Sequence, residues 1–249
     1  MSPRGRGILF AAGAAVLAWV LVRALLRLDA FGSFPAPYGR LLAALTLAAH
    51  RGLNAPTAVT FDFRGLDTLG EEFILFSAVT GIGLVSENAR EQGGGRAPER
   101  QDRPERSGAV RGVGYLVFGA GALFGLQVAA HALLTPGGGF QGGSILASAW
   151  FLLYLALGWR VFDRLTCEAP VELAESLGAA TYALTGFLSM VLGGAFLENA
   201  LPLGKQGSLF SGGSITLINA GVTIEVAAAF ALVLTEMVRA ALGTMTHQT

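Results

Sequence analysis

The feature that most constrains this chain is a long run, Gly112 to Trp159, in which His131 is the only acidic or basic side chain. About 20 apolar residues cross a bilayer as a helix, so the run is too long for one crossing and suits two. Pro136 and Gly137–Gly139 interrupt it, because proline cannot donate a helical hydrogen bond and glycine loses the most conformational freedom in a helix. The run therefore predicts two membrane helices joined by a tight corner.

We call this interruption the glycine corner; it comprises Pro136, Gly137, Gly138, Gly139, Phe140, Gly142 and Gly143. In lipid, backbone with bare N–H and C=O groups is tolerated only where other protein buries it or where it lines a cavity. The corner therefore predicts contact with other protein. Gly138 and Gly139 are expected to need a positive φ or a close backbone neighbour. The alternative, a loop at the membrane surface without a special role, stays open on composition alone.

Composition predicts an all-α integral membrane protein. Hydrophobic residues make up 53% of the chain and charged residues 14%, and the mean hydropathy is +0.57. A soluble domain carries about 25% charged residues. The formal net charge is zero, so the chain has no basic footprint for nucleic acid. Cys167 is the only cysteine, which excludes an internal disulfide.

The apolar segments predict about six transmembrane helices, two plus four, joined by a flexible charged linker. Residues 1–88 are the two-helix segment, 89–110 the linker and 111–249 the four-helix membrane domain. The linker is rich in arginine, acids, glycine and proline, a composition that cannot bury a core. In the C-terminal domain we expect helices over 112–134, 140–159, 176–197 and 212–241, with a charged loop over 160–175. The first apolar run, Ile8–Val22, also fits a signal peptide, although Arg23 lies where a cleavage region should be neutral.

The acidic segment, Thr57 to Glu72, precedes an apolar stretch that is too short to span a bilayer. Phe73–Ser86 has only 14 uncharged residues, ~21 Å of helix against a hydrocarbon core of ~30 Å. A crossing that includes the preceding turns brings Glu71 into the membrane.

Further charged groups stand near Glu71. If Glu71 enters the membrane, Asp67 and Asp62 are expected near the membrane surface, and Asp67, four residues before Glu71, lies on the same helix face. Two acids on one face repel each other when both are ionised, so the buried one can take up and release a proton, which suits proton exchange. The positive charge of Arg64 could compensate them. The alternative is that all of them are solvated charges at the membrane interface.

Two further ionisable groups lie within apolar helices. Glu225 falls near the middle of the last predicted helix, and an intramembrane carboxyl group is a functional candidate by default. The alternative is a neutral glutamic acid bonded to a neighbouring helix. His131 is a candidate proton relay, or a helix-end histidine that merely bonds a carbonyl group. Asn219 could hydrogen-bond across helices.

Three motifs carry a family resemblance. PGGGFQGG at 136–143 and LINAGVTIEVAAAFALVLTEM at 217–237 resemble the B subunit of Mrp-type multisubunit Na+/H+ antiporters, the MnhB-like subunit. TAVTFDFRGLDTLGE at 57–71 resembles the C-terminal part of the A subunit, or the equivalent small subunit, E, of membrane-bound hydrogenases. The resemblance implies that the principal proton-pumping subunits are other chains.

The resemblance thus implies a membrane subunit of a multisubunit monovalent cation/proton antiporter, in the ion-translocation region or in inter-subunit packing. One alternative is a non-conducting scaffold of a Mrp-like module in a hydrogenase-type respiratory complex, and another is a stand-alone secondary transporter. The expected partners are other membrane subunits, the lipid bilayer and transported Na+ and H+. No catalytic motif, cofactor motif or metal-ligand spacing is present, so we expect no enzymatic activity. The distribution of lysines and arginines favours both termini on the cytoplasmic side. The resemblance implies that the membrane is the inner (plasma) membrane of the cell.

Overall fold

The computed structural model describes residues 3–28, 32–33, 36–50, 52–92 and 106–245 of the 249-residue chain. It divides into two compact units, Met1–Leu41 and Leu42–Thr249. All regular structure in the described residues is helical. The predicted all-α fold is therefore confirmed for the described part of the chain.

The first unit is dominated by helix α1 (Pro3–Leu25). Its large apolar side chains are exposed along the whole helix, as expected of a helix that faces lipid or other subunits. The Arg23 guanidinium lies 5.5 Å from the centre of the Trp19 ring. This cation–π contact stabilises the positive charge at the end of the helix. Helix α2 (Pro37–His50) begins in this unit and ends in the second.

In the second unit the acidic segment folds as a broken helix. The short helix α3 (Ala55–Ala58) leads into a π-helical turn (Val59–Phe63), and α4 (Gly65–Gln92) follows. Arg64 breaks the helical geometry between them, with φ −129° and ψ 29°. π-Helical turns often occur at functional sites, because they re-aim side chains within a helix.

Helices α5 (Gly108–Ala130) and α6 (Gly139–Leu157) form the predicted hairpin around the glycine corner. Small residues let the two backbones approach closely, as in other membrane helix pairs. A Cβ atom added to Gly121 would lie 2.9 Å from the Ala149 Cβ, and one added to Gly142 would lie 2.8 Å from the Gly125 carbonyl oxygen. The close approach of α5 and α6 in the hairpin therefore depends on contacts between glycine and alanine residues rather than on large side chains.

The C-terminal part differs from expectation in one loop. The prediction of a charged loop over 160–175 is wrong, because α7 (Trp159–Leu165) and the start of α8 (Glu168–Val191) occupy it. Pro170 lies in the first turn of α8, where its missing N–H has no helical partner to lose. Helix α9 (Ser214–Met245) completes the unit.

Five described helices are long and apolar enough to cross a membrane: α1, α4, α5, α6 and α9. Helix α8, which contains the predicted fifth crossing, is not among them, because glutamates and small polar residues lower its hydropathy. Its 24 residues still reach ~36 Å, so its crossing stays a prediction.

The predicted linker, 89–110, is partly helical. Helix α4 extends into its start and α5 begins before its end. Residues 93–105 lie outside the described part of the chain.

Helix α9 is the centre of the second unit and packs against α4, α6 and α8. Its Ile215, Ile218, Val222 and Val226 are almost fully buried, together with Tyr182 of α8. The Tyr182 hydroxyl donates to the Gly65 carbonyl oxygen at 2.8 Å. This bond ties the start of α4 to the middle of α8.

Candidate functional site

The acidic segment and the glycine corner meet, although about 80 residues separate them in the sequence. The Asn54 side-chain amide donates to the carbonyl oxygens of Ala132 (2.7 Å) and Thr135 (2.9 Å). The Thr57 hydroxyl also donates to Ala132 O, at 2.7 Å. Because Asn54 and Thr57 are buried, these bonds hold the start of the acidic segment against the residues just before the glycine corner, away from solvent.

A cavity of about 310 Å³ lies where the two motifs meet. Its walls are formed by the π-helical turn, the first turns of α4 and the glycine corner. The lining residues are Pro56, Thr57, Thr60, Phe61, Thr68, Glu71, Glu72, Gly137, Gly138, Phe140 and Gln141. We call it the motif cavity.

The π-helical turn is held against α4 by a hydrogen bond from the Thr68 hydroxyl to the Thr60 carbonyl oxygen, 2.8 Å long. Behind it, the rings of Phe61 and Tyr182 meet edge to face with centroids 6.1 Å apart. The buried core thus supports the wall that carries Thr60.

Two adjacent glutamates line the motif cavity, and only one is enclosed. Glu71, the predicted ion-path residue, is exposed in this chain, whereas Glu72 is 3% exposed. The Glu72 Oε2 atom has no hydrogen-bond partner. Glu72 was not among the predicted ion-path residues, although it adjoins Glu71 in the sequence. Successive residues of a helix point about 100° apart, so packing can enclose one member of the pair and leave the other exposed.

The other predicted residues of the acidic segment lie at a second cavity. Asp62, Arg64 and Asp67 line a space of about 330 Å³ together with residues 195–198. The Arg64 Nε atom donates to Asp67 Oδ2 at 2.7 Å, and both side chains are more than half exposed. Arg64 therefore compensates Asp67 directly, at the mouth rather than in the interior.

Glu225 is fully buried in the middle of α9. Neither of its carboxyl oxygens has a hydrogen-bond partner. It interacts electrostatically with Glu72 of α4 and Glu175 of α8. Three carboxyl groups from three helices thus face a shared interior, of which the sequence analysis identified only Glu225. Glu175 was missed because it was placed in a loop.

His131 and Asn219 bond to the end of α5. The His131 Nδ1 atom lies 3.0 Å from the Gln127 carbonyl oxygen, one turn back in the same helix. The Asn219 side-chain amide donates to the Ala129 carbonyl oxygen at 2.9 Å. The expected cross-helix bond of Asn219 is therefore confirmed. His131 has the contact of a helix-end histidine.

The glycine corner has both features expected of it, at different residues. Gly137 has φ +152°, and a Cβ at Gly139 would lie 2.5 Å from the Asn219 carbonyl oxygen. Gly138 is extended, and only the flexible Gln141 side chain approaches it. The expectation is right for Gly139 and wrong for Gly138. At Gly139 the backbone of α6 packs directly against the backbone of α9.

Comparison with known proteins identifies the family. Residues 109–232 match a family described as "Domain related to MnhB subunit of Na+/H+ antiporter". An uncharacterised protein of Methanocaldococcus jannaschii is 32% identical over 199 residues, which cover 70% of this chain and 73% of that protein. The chain belongs to the MnhB-related family. The family is one of antiporter subunits rather than of enzymes.

Two solved structures resemble the MnhB-related chain. A chain of the membrane-bound sulfane sulfur reductase, an archaeal respiratory membrane complex, is 29% identical with a TM-score of 0.71, over 93% of this chain and 97% of that chain. A chain of the Mrp complex from Dietzia sp. DQ12-45-1b has a TM-score of 0.71 at 20% identity, over 95% of this chain and 26% of that chain. The MnhB-related chain is thus a multi-pass membrane subunit of the type found in Mrp-type antiporters and related respiratory complexes.

The family match divides the site between two parts of the MnhB-related chain. Residues 109–232 contain the glycine corner, Glu175 and Glu225, whereas Glu71 and Glu72 precede the matched range. The motif cavity is therefore built by the MnhB-related domain together with the segment before it.

Proposed function

We propose that this chain forms part of the cation path of a multisubunit cation/proton exchange module, and that the motif cavity is its cation site. The observation that carries the proposal is the meeting of the acidic segment and the glycine corner around one cavity. Glu71 and Glu72 supply charge, and Asp62, Arg64 and Asp67 stand at the neighbouring mouth. His131 lies outside the lining of both cavities, which makes it the weakest of the ion-path candidates.

The lining of the motif cavity offers the ligands that a small hard cation prefers, namely oxygen atoms. The Glu72 carboxyl group has an unpartnered oxygen, and the Gln141 amide and the Thr57 and Thr60 hydroxyls add neutral oxygens. The hydroxyl protons of Thr57 and Thr60 are given to backbone carbonyl groups. The Thr60 oxygen lone pairs can therefore point at a cation, whereas Thr57 Oγ1 already accepts a hydrogen bond from the Asn54 amide and has one lone pair left. This set suits Na+ in a partly dehydrated state.

The test is cation transport by the whole complex in proteoliposomes. Glu72→Gln keeps the shape and removes the charge, so we expect Na+ uptake to fall by about 100-fold, which corresponds to about 2.8 kcal/mol of lost cation binding. Glu71→Gln should also lower uptake, while Glu172→Gln, an exposed acid on α8, is the matched control. Wild-type Na+ uptake by an assembled Glu72→Gln, Glu71→Gln double variant would contradict the proposal.

A respiratory complex is the host that the comparisons favour. The agreement with the sulfane sulfur reductase chain is nearly full length on both sides, whereas this chain spans 26% of the Dietzia chain. The second candidate is a dedicated antiporter. Purification of the tagged complex from native membranes, with mass spectrometry of its subunits, separates them. Electron-transferring subunits are expected in the first case, and membrane subunits alone would select the second.

We further propose that the chain has no catalytic role, that it lies in the plasma membrane and that both termini are cytoplasmic. The division into 1–88, 89–110 and 111–249 is proposed as a functional division, with the linker on the cytoplasmic side. Labelling of a cysteine placed at Ser107, from one side of sealed vesicles at a time, tests the topology. Labelling from the outer side alone would contradict it. A scaffold role without conduction would appear as lost assembly with intact transport per complex in the Glu71→Gln and Glu225→Gln variants.

A further inference from the structure

The interior of the second unit contains three carboxyl groups that the cation site does not explain fully. Glu225, Glu72 and Glu175 are 0%, 3% and 4% exposed. Each has at least one oxygen without a hydrogen-bond partner, and Glu225 has two. Glu72 also lines the motif cavity, whereas Glu175 and Glu225 do not. Two of the three are therefore buried behind the cavity wall.

The groups that face these carboxyls cannot compensate three negative charges. Glu225 faces Glu72 from α4 and Glu175 from α8, and Glu175 faces Glu172 on its own helix. Glu72 faces Glu71 on its own helix, and the Tyr182 hydroxyl donates its proton to Gly65. Three anions buried together without cations would cost several kcal/mol each, so the cluster is stable only if it shares protons.

Two of the three carboxyl groups can be placed along α8. Tyr182 of α8 lies beside Gly65 at the start of α4, about 10 Å along the α4 axis from Glu72. One turn towards the start of α8, Gly178 lies directly against Glu225, whose backbone nitrogen would be 2.6 Å from an added Cβ. Glu175 lies one further turn away, about 4.5 Å along the axis. Glu225 interacts with Glu72 as well as with Glu175, so it is the middle group of the three.

Beyond Glu175, the line reaches a charged cluster at the start of α8 and the end of α9. The Arg239 guanidinium contacts Glu236 at 2.9 Å, Glu168 at 3.1 Å and Asp163 at 3.7 Å. Glu168 and Asp163 are about half exposed, so protons can enter or leave here. Glu168 precedes Glu175 by two turns of α8, about 10 Å, a gap that water can bridge.

We propose that Glu72, Glu225 and Glu175 carry protons between the motif cavity and the Arg239 end of α8 and α9. In each step a carboxylic acid gives its proton to the neighbouring carboxylate, directly or over water, and no other bond changes. Because Glu72 belongs to both the cavity and the line, a cation beside it stabilises its carboxylate and releases a proton towards Glu225. Cation entry and proton exit are thereby linked at one residue. This inference rests on the proposed cation site.

The experiment separates proton movement from cation movement in proteoliposomes that contain the whole complex. Glu225→Gln and Glu175→Gln should lower Na+-driven proton movement by about 100-fold, the scale of a lost proton-transfer group. Exchange of radioactive Na+ for Na+ across the membrane needs no proton, so it should persist in both variants. Glu87→Gln, which changes an exposed acid on α4 outside the lining of both cavities, should match the wild type in both assays.

The outcomes distinguish the two proposals. Wild-type proton movement in assembled Glu225→Gln complex overturns the proton line and leaves the cation site standing. Wild-type Na+/Na+ exchange in Glu72→Gln overturns the cation site. If a glutamine variant fails to assemble, infrared difference spectra of the wild-type complex and of Glu225→Asp between acid and alkaline pH decide. Carboxylic acid C=O bands that appear on acidification and shift in the aspartate variant support the line, and spectra without such bands overturn it.

Discussion

Gly178 of α8 lies directly against Glu225 of α9, so that a Cβ added to Gly178 would stand 2.6 Å from both the Cβ and the backbone nitrogen of Glu225. The absence of a side chain on one helix thus allows the other to bury a carboxyl group in mid-helix. Gly221 and Thr181 repeat this close contact one turn away, at 2.9 Å. Such small-residue contacts let membrane helices approach without large apolar side chains.

Gly178→Ala should destabilise the pair of α8 and α9, because the added methyl group meets backbone atoms that cannot rotate away. We expect a cost of about 1–3 kcal/mol, the range for overpacked interiors, and a lower melting temperature of the purified complex. Gly119→Ala is the control, since nothing lies within 4 Å of its added Cβ. Equal melting temperatures for the two variants would show that the contact relaxes freely.

At the glycine corner, Gly139→Val and Gly142→Val should impair assembly far more than Gly138→Val. The first two would drive a side chain into carbonyl oxygens at 2.5 and 2.8 Å, whereas Gly138 meets only the Gln141 side chain. The yield of complex in native membranes measures the effect. Gly119→Val is the control, since nothing lies within 4 Å of a Cβ added there. Gly121 is not a neutral position, because it packs against Ala149. A tolerant Gly139→Val variant would mean that α6 does not depend on this approach.

Asn54→Ala should loosen the acidic segment from the glycine corner. The amide of Asn54 donates to Thr57 Oγ1 and to two carbonyl groups, and unsatisfied buried polar groups cost about 1–3 kcal/mol each. We expect faster hydrogen exchange over residues 55–63 and lower Na+ uptake. Asn88→Ala, which removes an exposed bond within α4, should change neither. Unchanged exchange in Asn54→Ala would show that other contacts hold the segment.

Arg239→Gln should weaken the end of α8 against α9, because it removes the positive charge shared by Glu236, Glu168 and Asp163. Glu236 is 8% exposed, so the loss of its charged partner should cost about 3 kcal/mol or more. The melting temperature of the complex is the measurement, and Arg111→Gln, an exposed position on α5, is the control. A melting temperature equal to that of the control would show that the ion pairs of Arg239 do not stabilise the packing of α8 against α9.

The amino-acid sequence by itself determined the helical membrane fold and the family. Continuous apolar runs without charge permit only helices in lipid, and the proline and glycines at 136–139 could only interrupt them. The sequence also singled out Glu225, because a carboxyl group in an apolar helix stands out whatever surrounds it. Charged helical segments, such as α7 and the first turn of α8, were predicted as a loop, because a high content of charged residues in a short segment is also typical of loops.

Only the tertiary structure decided which acids lie together in the interior. Glu71 and Glu72 are equivalent in an apolar helix without a clear polar face, and packing against α9 encloses Glu72 alone. Glu175 joined the cluster because Gly178 brings α8 against α9. The meeting of residues 54–57 with 132–137 depends on hydrogen bonds between segments far apart in the chain. Periodicity describes one helix at a time, whereas these relationships are set by the faces that several helices present to one another.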